Sequence, residues 1–235
     1  MRAVPSTARV ELHDVAVRYG RLVALRDVTL SVGGGDLLCV RGANGAGKTS
    51  LLRVLAGVVR PAHGTRRGPA RVAYVPAALT PPLLSAHHWI GGVRARRATD
   101  PLVALEQLGF AGELRGSCRA LSLGNFRKLL LADALSSTAD LVVIDEAKLG
   151  LDTAGHRGLA ELVAASRARG AAVVAAVQQG ESLTGADTTI VVRDHTIRVE
   201  EPGNVDIGFR GPADQIDPLI RAARALGFAP NREPS

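Results

Sequence analysis

The sequence predicts an α/β fold, in which a parallel sheet with helices on both faces follows an antiparallel β lobe and is interrupted by a helical lobe. Two observations predict it. Short apolar runs alternate with helical patterns through the second half of the chain, and strands spaced by helices form parallel sheets. Two partly alternating segments near the start, joined by Gly20 and Arg21, are typical of an antiparallel hairpin.

The first half supplies the hairpin, two short strands and one helix. Alternation and β-branched residues predict the hairpin strands, and continuous apolar runs predict the two buried strands; these segments are residues 10–19, 25–32, 37–40 and 72–75. The triple glycine from Gly33 to Gly35 is a turn. Helical spacing begins at Leu51, and Gly57 followed by Pro61 ends that helix.

Residues 80–120 have a different composition, rich in proline and arginine, with a helical pattern at Leu102, Leu105 and Leu108 and arginines at Arg94, Arg96 and Arg97. We interpret them as an inserted helical lobe. Beyond it, periodicity predicts helices over 122–134 and 153–169 and strands over 141–144, 172–177 and 189–192. A last strand over 205–209 and an amphipathic helix over 212–226 would form a C-terminal appendage.

The composition is typical of a globular domain, and the net charge is compatible with an anionic partner. The 235 residues are 46% apolar and 22% charged, which allows a sizeable core. The formal net charge of +7 fits a nucleotide, a membrane surface or a nucleic acid. With 3% aromatic residues there is little to stack on bases, so we do not expect nucleic acid. Cys39 and Cys118 give no metal or disulfide framework, which fits a reducing compartment.

One segment is long enough to be considered as a membrane span. Residues 72–93 contain no Asp, Glu, Lys or Arg, but they include five residues that argue against a span, Pro76, Pro81, Pro82, His87 and His88. The first residues lack the apolar core of a signal peptide. We therefore expect a cytoplasmic protein that reaches a membrane only through a partner.

A phosphate-binding pattern lies between the strand over 37–40 and the following helix. It matches Gly-x-x-x-x-Gly-Lys-[Ser/Thr] and consists of Gly42, Ala43, Asn44, Gly45, Ala46, Gly47, Lys48, Thr49 and Ser50. Glycines let main-chain N–H groups surround an anion at a helix N-terminus. Lys48 would reach the β- and γ-phosphates, and the Thr49 hydroxyl would bind Mg²⁺. The alternative is a glycine-rich turn with an incidental lysine.

The apolar strand over 141–144 ends in two acids, Asp145 and Glu146. The carboxyl ends of parallel strands face the ligand crevice, so Asp145 can join the Mg²⁺ ion that Thr49 binds. Glu146, one residue later, can polarise the attacking water as a general base. The alternative is a solvated acidic turn.

Leu-Ser-Leu-Gly-Asn, from Leu121 to Asn125, begins a predicted helix. Ser and Gly at a helix N-terminus suit phosphate binding, although Ser122 is also a good N-cap, so a simple capped helix is the alternative. Together with the glycine loop and the acidic strand, this segment resembles the Leu-Ser-Gly-Gly-Gln signature of the ABC ATPases. The resemblance covers roughly residues 8–200 in the same order and spacing.

The resemblance implies a P-loop NTPase (RecA-like) core that holds ATP and Mg²⁺ at a dimer interface. It implies that Ser122 and Gly124 bind the γ-phosphate of ATP held by the opposite subunit. Tyr19 would stack on adenine, although an isolated strand tyrosine is packing in most proteins. Asp152 would lie in a loop that crosses to the other subunit.

The resemblance also implies a domain plan and partners. Residues 8–201 would be the ATP-binding cassette, 202–228 the appendage and 229–235 a tail. Separate transmembrane transporter subunits would hold the chain at the inner face of the cell membrane. The appendage resembles those of several drug- and polymer-exporter subunits, which favours export.

Four positions depart from the family pattern. Ala77 stands where the family has a glutamine, Gln178 where it has a histidine, and Leu123 and Asn125 replace two signature residues. Loss of one preorganised donor costs on the order of 10² to 10³ in rate. Because Ala77 can donate nothing, we expect slow turnover at a site where Glu146 and Gln178 are catalytic.

Several assemblies and functions fit this pattern. A regular second cassette could form a mixed dimer with this chain, or two copies could form a homodimer with two slow sites. A soluble ABC ATPase of DNA repair, translation or cofactor assembly is an alternative to a transporter. So is a regulatory module that binds ATP as a conformational switch without transport.

Overall fold

The computed structural model describes residues 8–78, 80–91 and 97–200. The strands are β1 Ala8–Tyr19, β2 Leu22–Gly33, β3 Leu37–Arg41, β4 His63–Arg67, β5 Val72–Val75, β6 Leu141–Ile144, β7 Ala172–Ala176, β8 Thr188–Arg193 and β9 Thr196–Glu200. The helices are α1 Lys48–Leu55, α2 Ala86–Gly91, α3 Pro101–Gln107, α4 Leu123–Leu135 and α5 Thr153–Ala168, with a 3₁₀ turn over Cys118–Ala120.

The strands of the larger sheet number six and lie in the order β5-β6-β7-β3-β8-β9. The pairs β5/β6, β6/β7, β7/β3 and β3/β8 are parallel. This confirms the predicted α/β architecture, and the observed bounds differ from the predicted ones by a few residues at the strand and helix ends. The prediction missed β9, which follows a two-residue turn at Asp194 and His195 and whose residues are exposed or only partly buried.

The antiparallel lobe is a three-stranded sheet in the order β2-β1-β4. The predicted hairpin of β1 and β2 is confirmed. The third strand, His63–Arg67, was missed because its sequence, His-Gly-Thr-Arg-Arg, has no apolar alternation and four of its five residues are exposed. Gly64 lets it approach β1, since a Cβ there would lie 2.2 Å from the carbonyl oxygen of Asp14.

Alternate residues of the parallel strands serve two separate cores. In β3, Leu38 and Val40 pack with α1 and the antiparallel lobe. Leu37 and Cys39 of the same strand face the core that contains α2 to α5. This two-sided burial explains the continuous apolar runs, because successive side chains of a strand point to opposite faces.

The inserted lobe contains α2, α3 and the 3₁₀ turn, and it packs on α4 and α5. Within residues 8–78, 80–91 and 97–200, no helix is long and apolar enough to cross a bilayer. One compact unit ends at Val199 and a second starts at Glu200, its only described residue. The arginines Arg94 and Arg96 and the appendage over 202–228 lie outside the described residues, so the domain plan stays a prediction.

Candidate nucleotide-binding site

The chemistry-bearing residues follow neighbouring strands of the parallel sheet. β5, β6, β7 and β3 are adjacent and run in one direction, so their carboxyl ends lie at one edge. Four segments start from that edge: the segment with Ala77 after β5, Asp145 and Glu146 after β6, Gln178 after β7, and the glycine loop after β3. The topology therefore gathers predicted residues from four parts of the chain.

The glycine loop needs glycine at two of its positions for steric reasons. Gly42 has φ 148°, and a Cβ on it would lie 2.6 Å from the Val192 carbonyl oxygen. Gly47 has φ 111°, and its Cβ would lie 2.7 Å from the Ala24 carbonyl oxygen. Strands β8 and β2 therefore approach the loop too closely for a side chain, and the loop backbone is left free to face a ligand.

Lys48 begins α1 and points into its own loop. Its Nζ donates hydrogen bonds to the carbonyl oxygens of Gly42, at 2.7 Å, and Ala43, at 3.0 Å. The side chain is 8% exposed. The first turn of α1 carries no acidic residue, and no side chain of the described residues caps it at Gly47. A buried cation beside the free N–H groups of a helix is the arrangement that attracts a phosphate.

Thr49 and Asp145 are brought together from 96 residues apart. The Thr49 hydroxyl donates to Oδ2 of Asp145 at 2.7 Å. Asp145 is 1% exposed, and its Oδ1 has no hydrogen-bond partner among the described residues. A buried carboxylate oxygen that lacks a partner, next to a hydroxyl, fits a Mg²⁺ ion, which prefers oxygen ligands.

Glu146 stands in a strained backbone conformation. Its φ is 49°, in the left-handed region that residues other than glycine rarely adopt. The residues on both sides are fixed, because Asp145 N–H donates to the Val75 carbonyl at 2.9 Å and Ala147 N–H donates to the Ala176 carbonyl at 2.8 Å. Strain of this kind accumulates at functional sites.

Ala77 and Gln178, two of the four positions at which the resemblance leads us to expect other residues, lie at this same edge. Ala77 is partly buried and offers no side-chain donor. Gln178 is exposed after β7, and its N–H donates to Oε2 of Glu181 at 3.1 Å.

Tyr19 ends β1 with 41% of its surface exposed. Its hydroxyl, and to a smaller extent that of Tyr74, raises the pKa of Arg53, which places Tyr19 beside α1.

The signature segment forms the start of α4. Ser122 is the N-cap, and its Oγ accepts a hydrogen bond from Asn125 N–H at 3.2 Å. Gly124 packs against Gly150, since a Cβ on Gly124 would lie 3.1 Å from the Gly150 carbonyl oxygen. Among the described residues, no hydrogen bond joins Ser122 or Gly124 to the glycine loop of the same chain.

Asp152 is the N-cap of α5. Its Oδ1 accepts a hydrogen bond from Gly155 N–H at 2.7 Å, and its Oδ2 lies 3.9 Å from Nζ of Lys128. The Gly155 N–H group, and after it the Lys128 charge, hold the pKa of Asp152 below its ordinary value. Asp152 is therefore ionised at neutral pH, next to the segment that follows Glu146.

Sequence reasoning missed Arg127, which is 1% exposed on α4. Its guanidinium donates to the main-chain carbonyls of Pro76, Asp145 and Glu146. The sequence did contain one signal of its burial. Arg127 lies four residues before Leu131, and residues with this spacing lie on the same face of a helix, here the buried one.

Comparison with known proteins agrees with this geometry. Residues 25–148, more than half of the chain, match the ABC transporter family. The chain belongs to the ABC transporter family. It is an ATP-binding subunit of that family, whose cassettes bind and hydrolyse ATP.

Two curated relatives are named zinc import ATP-binding protein ZnuC. The protein from Jannaschia sp. (strain CCS1) is 36% identical over 152 residues, which are 62% of each chain. The protein from Cereibacter sphaeroides is 36% identical over 172 residues, which are 70% of each chain. The matched region thus covers a little under two thirds of the first relative's length and a little over two thirds of the second's.

Solved structures share the fold. An ATP-binding subunit of an ABC transporter superposes with a TM-score of 0.68 at 22% identity, over 93% of both chains. A dimeric bacterial ABC transporter cassette superposes with a TM-score of 0.70 at 18% identity, over 81% of this chain and 97% of the cassette.

Proposed function

We propose that this chain is the ATP-hydrolysing motor subunit of a membrane transporter and that its own site turns over slowly. One observation carries the proposal. Lys48, Thr49, Asp145 and Glu146 follow two strands of one parallel sheet and share one edge of it, and Thr49 is hydrogen-bonded to Asp145.

Each residue has a role that its position supports. The Lys48 ammonium would exchange its contacts with Gly42 and Ala43 for the β- and γ-phosphates. The Thr49 hydroxyl and Asp145 Oδ1 would hold Mg²⁺, which neutralises phosphate charge when bound. The Glu146 carboxylate would accept the proton of the attacking water. Tyr19, half exposed beside α1, would stack on the adenine ring.

Slow turnover is proposed from Ala77 and Gln178. Catalysis of phosphoryl transfer is mostly positioning and charge stabilisation, so each missing donor raises the barrier. Ala77 has no side-chain donor, whereas the Gln178 amide can still donate. Glu146, which is retained, would keep the site active at a low rate. Ala77 is also what favours the alternative function, an ATP-binding switch without transport.

The assembly follows from the signature segment. In the part of the chain that the structure describes, Ser122 and Gly124 have no hydrogen bond to the glycine loop of their own chain, so they would complete the site of a second cassette. Such a dimer, with itself or with a regular cassette, would bind separate transmembrane subunits at the inner face of the cell membrane. The names of the two relatives favour zinc import over the export that the appendage suggested.

The central experiment is ATP turnover by the chain with its co-expressed membrane subunits. We expect Lys48→Ala and Glu146→Gln each to lower turnover by a factor on the order of 10² to 10³, whereas Glu161→Gln, on the exposed side of α5, retains it. Turnover that survives Glu146→Gln belongs to another site and contradicts the proposal. Steady turnover without any effect of a membrane subunit favours a soluble or regulatory ATPase.

The slow-site hypothesis has its own test. The double variant Ala77→Gln with Gln178→His gives both positions the residues of the family pattern, and we expect its turnover to exceed that of the wild type by about tenfold or more. Equal rates would show that Ala77 and Gln178 cost nothing. The membrane subunits also test the cargo: ATP-dependent zinc uptake into vesicles supports import, and zinc movement that is unaffected by Glu146→Gln contradicts it.

A further inference from the structure

Arg127 reaches the catalytic edge from the face of the sheet opposite to α1. Its Nη2 atom donates hydrogen bonds to two main-chain carbonyl oxygens, those of Asp145 and of Glu146, the second at 2.6 Å. Nη1 donates to the Pro76 carbonyl at 3.3 Å. We call these three contacts the Arg127 clamp. They join the segment after β5 to the segment after β6 through one side chain of the signature helix.

This arrangement is not an ordinary buried ion pair. The partners of the guanidinium are neutral main-chain oxygens 18, 19 and 51 residues away. Burial lowers the pKa of Arg127, and the charges of Glu146 and Asp145 oppose that shift. A buried cation that lacks a directly bonded carboxylate carries a large desolvation cost, and an apolar side chain at this position would avoid it. Packing alone therefore does not account for an arginine here.

The clamp acts on the most strained residue of the site. The left-handed backbone of Glu146, with φ 49°, is a conformation that residues other than glycine rarely adopt. Its carbonyl oxygen accepts from Arg127 and also from Leu149 N–H, at 3.0 Å. Two donors on one carbonyl fix the orientation of that peptide, and with it the direction of the Glu146 side chain.

The clamp also reaches the segment that contains Ala77. Because the methyl side chain of Ala77 can donate no hydrogen bond, the Pro76 carbonyl supplies the connection through the main chain. Arg127 lies five residues after Ser122, the N-cap of α4. A single helix thus carries the signature serine at its start and the clamp one turn later.

We infer that Arg127 is a positioning residue for hydrolysis, which holds the Glu146 peptide and the Pro76–Ala77 segment in register with the signature helix. The inference rests on the proposed function, because a rate at this site is what the clamp would affect. It assigns Arg127 no contact with the nucleotide. Its removal should therefore change the chemical step and leave ATP binding largely intact.

The test compares Arg127→Met and Arg127→Lys with Arg169→Met in the assembled transporter. Arg169 is a matched control, since its Nη2 donates to the Leu135 carbonyl at 2.6 Å, at the opposite end of α4, and burial lowers its pKa as well. We expect Arg127→Met to lower kcat by about tenfold or more and to leave KM for ATP within about twofold, because a small misplacement of a catalytic group is costly in rate. The kcat of Arg127→Lys, whose ammonium group is a single donor centre, should lie between those of the wild type and Arg127→Met. The kcat and KM of Arg169→Met should equal those of the wild type.

Hydrogen exchange gives a readout that does not depend on turnover. In Arg127→Met, the amides of residues 77, 78 and 145–150 should exchange faster, while exchange in the rest of α4 is unchanged. An equal loss of kcat in Arg127→Met and Arg169→Met, or an effect on KM alone, overturns the inference. If Arg127→Met does not fold, unchanged kcat and exchange in Arg127→Lys overturn it. If the wild type hydrolyses no ATP, the proposed function fails, and the exchange of these two segments still decides whether the clamp exists.

Discussion

Two buried cations, Lys48 and Arg127, approach the same edge of the parallel sheet from opposite faces. Lys48 begins α1, which packs in the core shared with the antiparallel lobe, and Arg127 lies on α4, in the core of the helical lobe. Both donate to main-chain carbonyls. The partners of Lys48 are five and six residues away, whereas those of Arg127 lie in two distant segments.

The difference separates a ligand-binding group from a positioning group. Lys48 has a flexible stem and partners in its own glycine loop, so it can turn to a phosphate while the fold remains unchanged. Arg127 has a planar fork whose donors match fixed carbonyls of Pro76 and Glu146, so moving it disturbs two segments. We therefore expect Lys48, whose partners lie in its own loop, to bind the ligand. We expect Arg127, whose partners lie in two distant segments, to position those segments.

The largest expected effect separates these two cations. Lys48→Ala should lower ATP turnover by a factor on the order of 10² to 10³. Lys48→Ala should lower the free energy of unfolding by less than Arg127→Met does, because the hydrogen bonds of Lys48 among the described residues go to its own loop. ATPase assays and urea unfolding of both variants measure this, with Arg198→Ala on the exposed side of β9 as the control. Equal losses of stability would remove the distinction.

An intermediate effect tests whether the glycine loop depends on its neighbours. Gly47→Ala should cost about 2–3 kcal/mol of stability and abolish nucleotide binding, because its Cβ would meet the Ala24 carbonyl of β2. Gly45→Ala is the matched control, since φ is also positive but no atom of the described residues lies within 4 Å of the added Cβ. It should cost about 1 kcal/mol from backbone strain alone. Equal costs in urea unfolding would mean that strand β2 does not constrain the loop.

The smallest effect concerns Asp152 and Lys128, the second buried cation of α4. The Gly155 N–H group and Lys128 lower the pKa of Asp152, so its charge stabilises the fold above the unfolded pKa, and this contribution is lost as pH falls through the folded value. Asp152→Asn keeps a capping side chain. Asp152→Asn should therefore be slightly less stable than the wild type at pH 7. This difference in stability should disappear below about pH 4.

Thermal melts at pH 7 and pH 3 measure that gap. Asp100→Asn, at the N-cap of α3, is the control for loss of a capping charge. A gap that persists unchanged at pH 3 would show that the Asp152 charge does not contribute.

Local features were predictable because their signal lies in side-chain type and spacing. The glycine loop, the acids after β6, the Ser122 cap and the hairpin were all stated from the sequence, and the structure has them at those positions. Strand β4 was not predicted, because its stability comes from pairing with β1 and its own residues are mostly exposed.

The sequence by itself determined the family, the phosphate loop and the carboxylates at the end of β6. Only the tertiary structure decided that Thr49 meets Asp145, that strands β2 and β8 require Gly47 and Gly42, and that Arg127 holds the Glu146 peptide. The physical reason is the same in each case. Strand order sets which loops are neighbours, and a main-chain carbonyl is present in every residue, so as an acceptor it leaves no mark in the sequence.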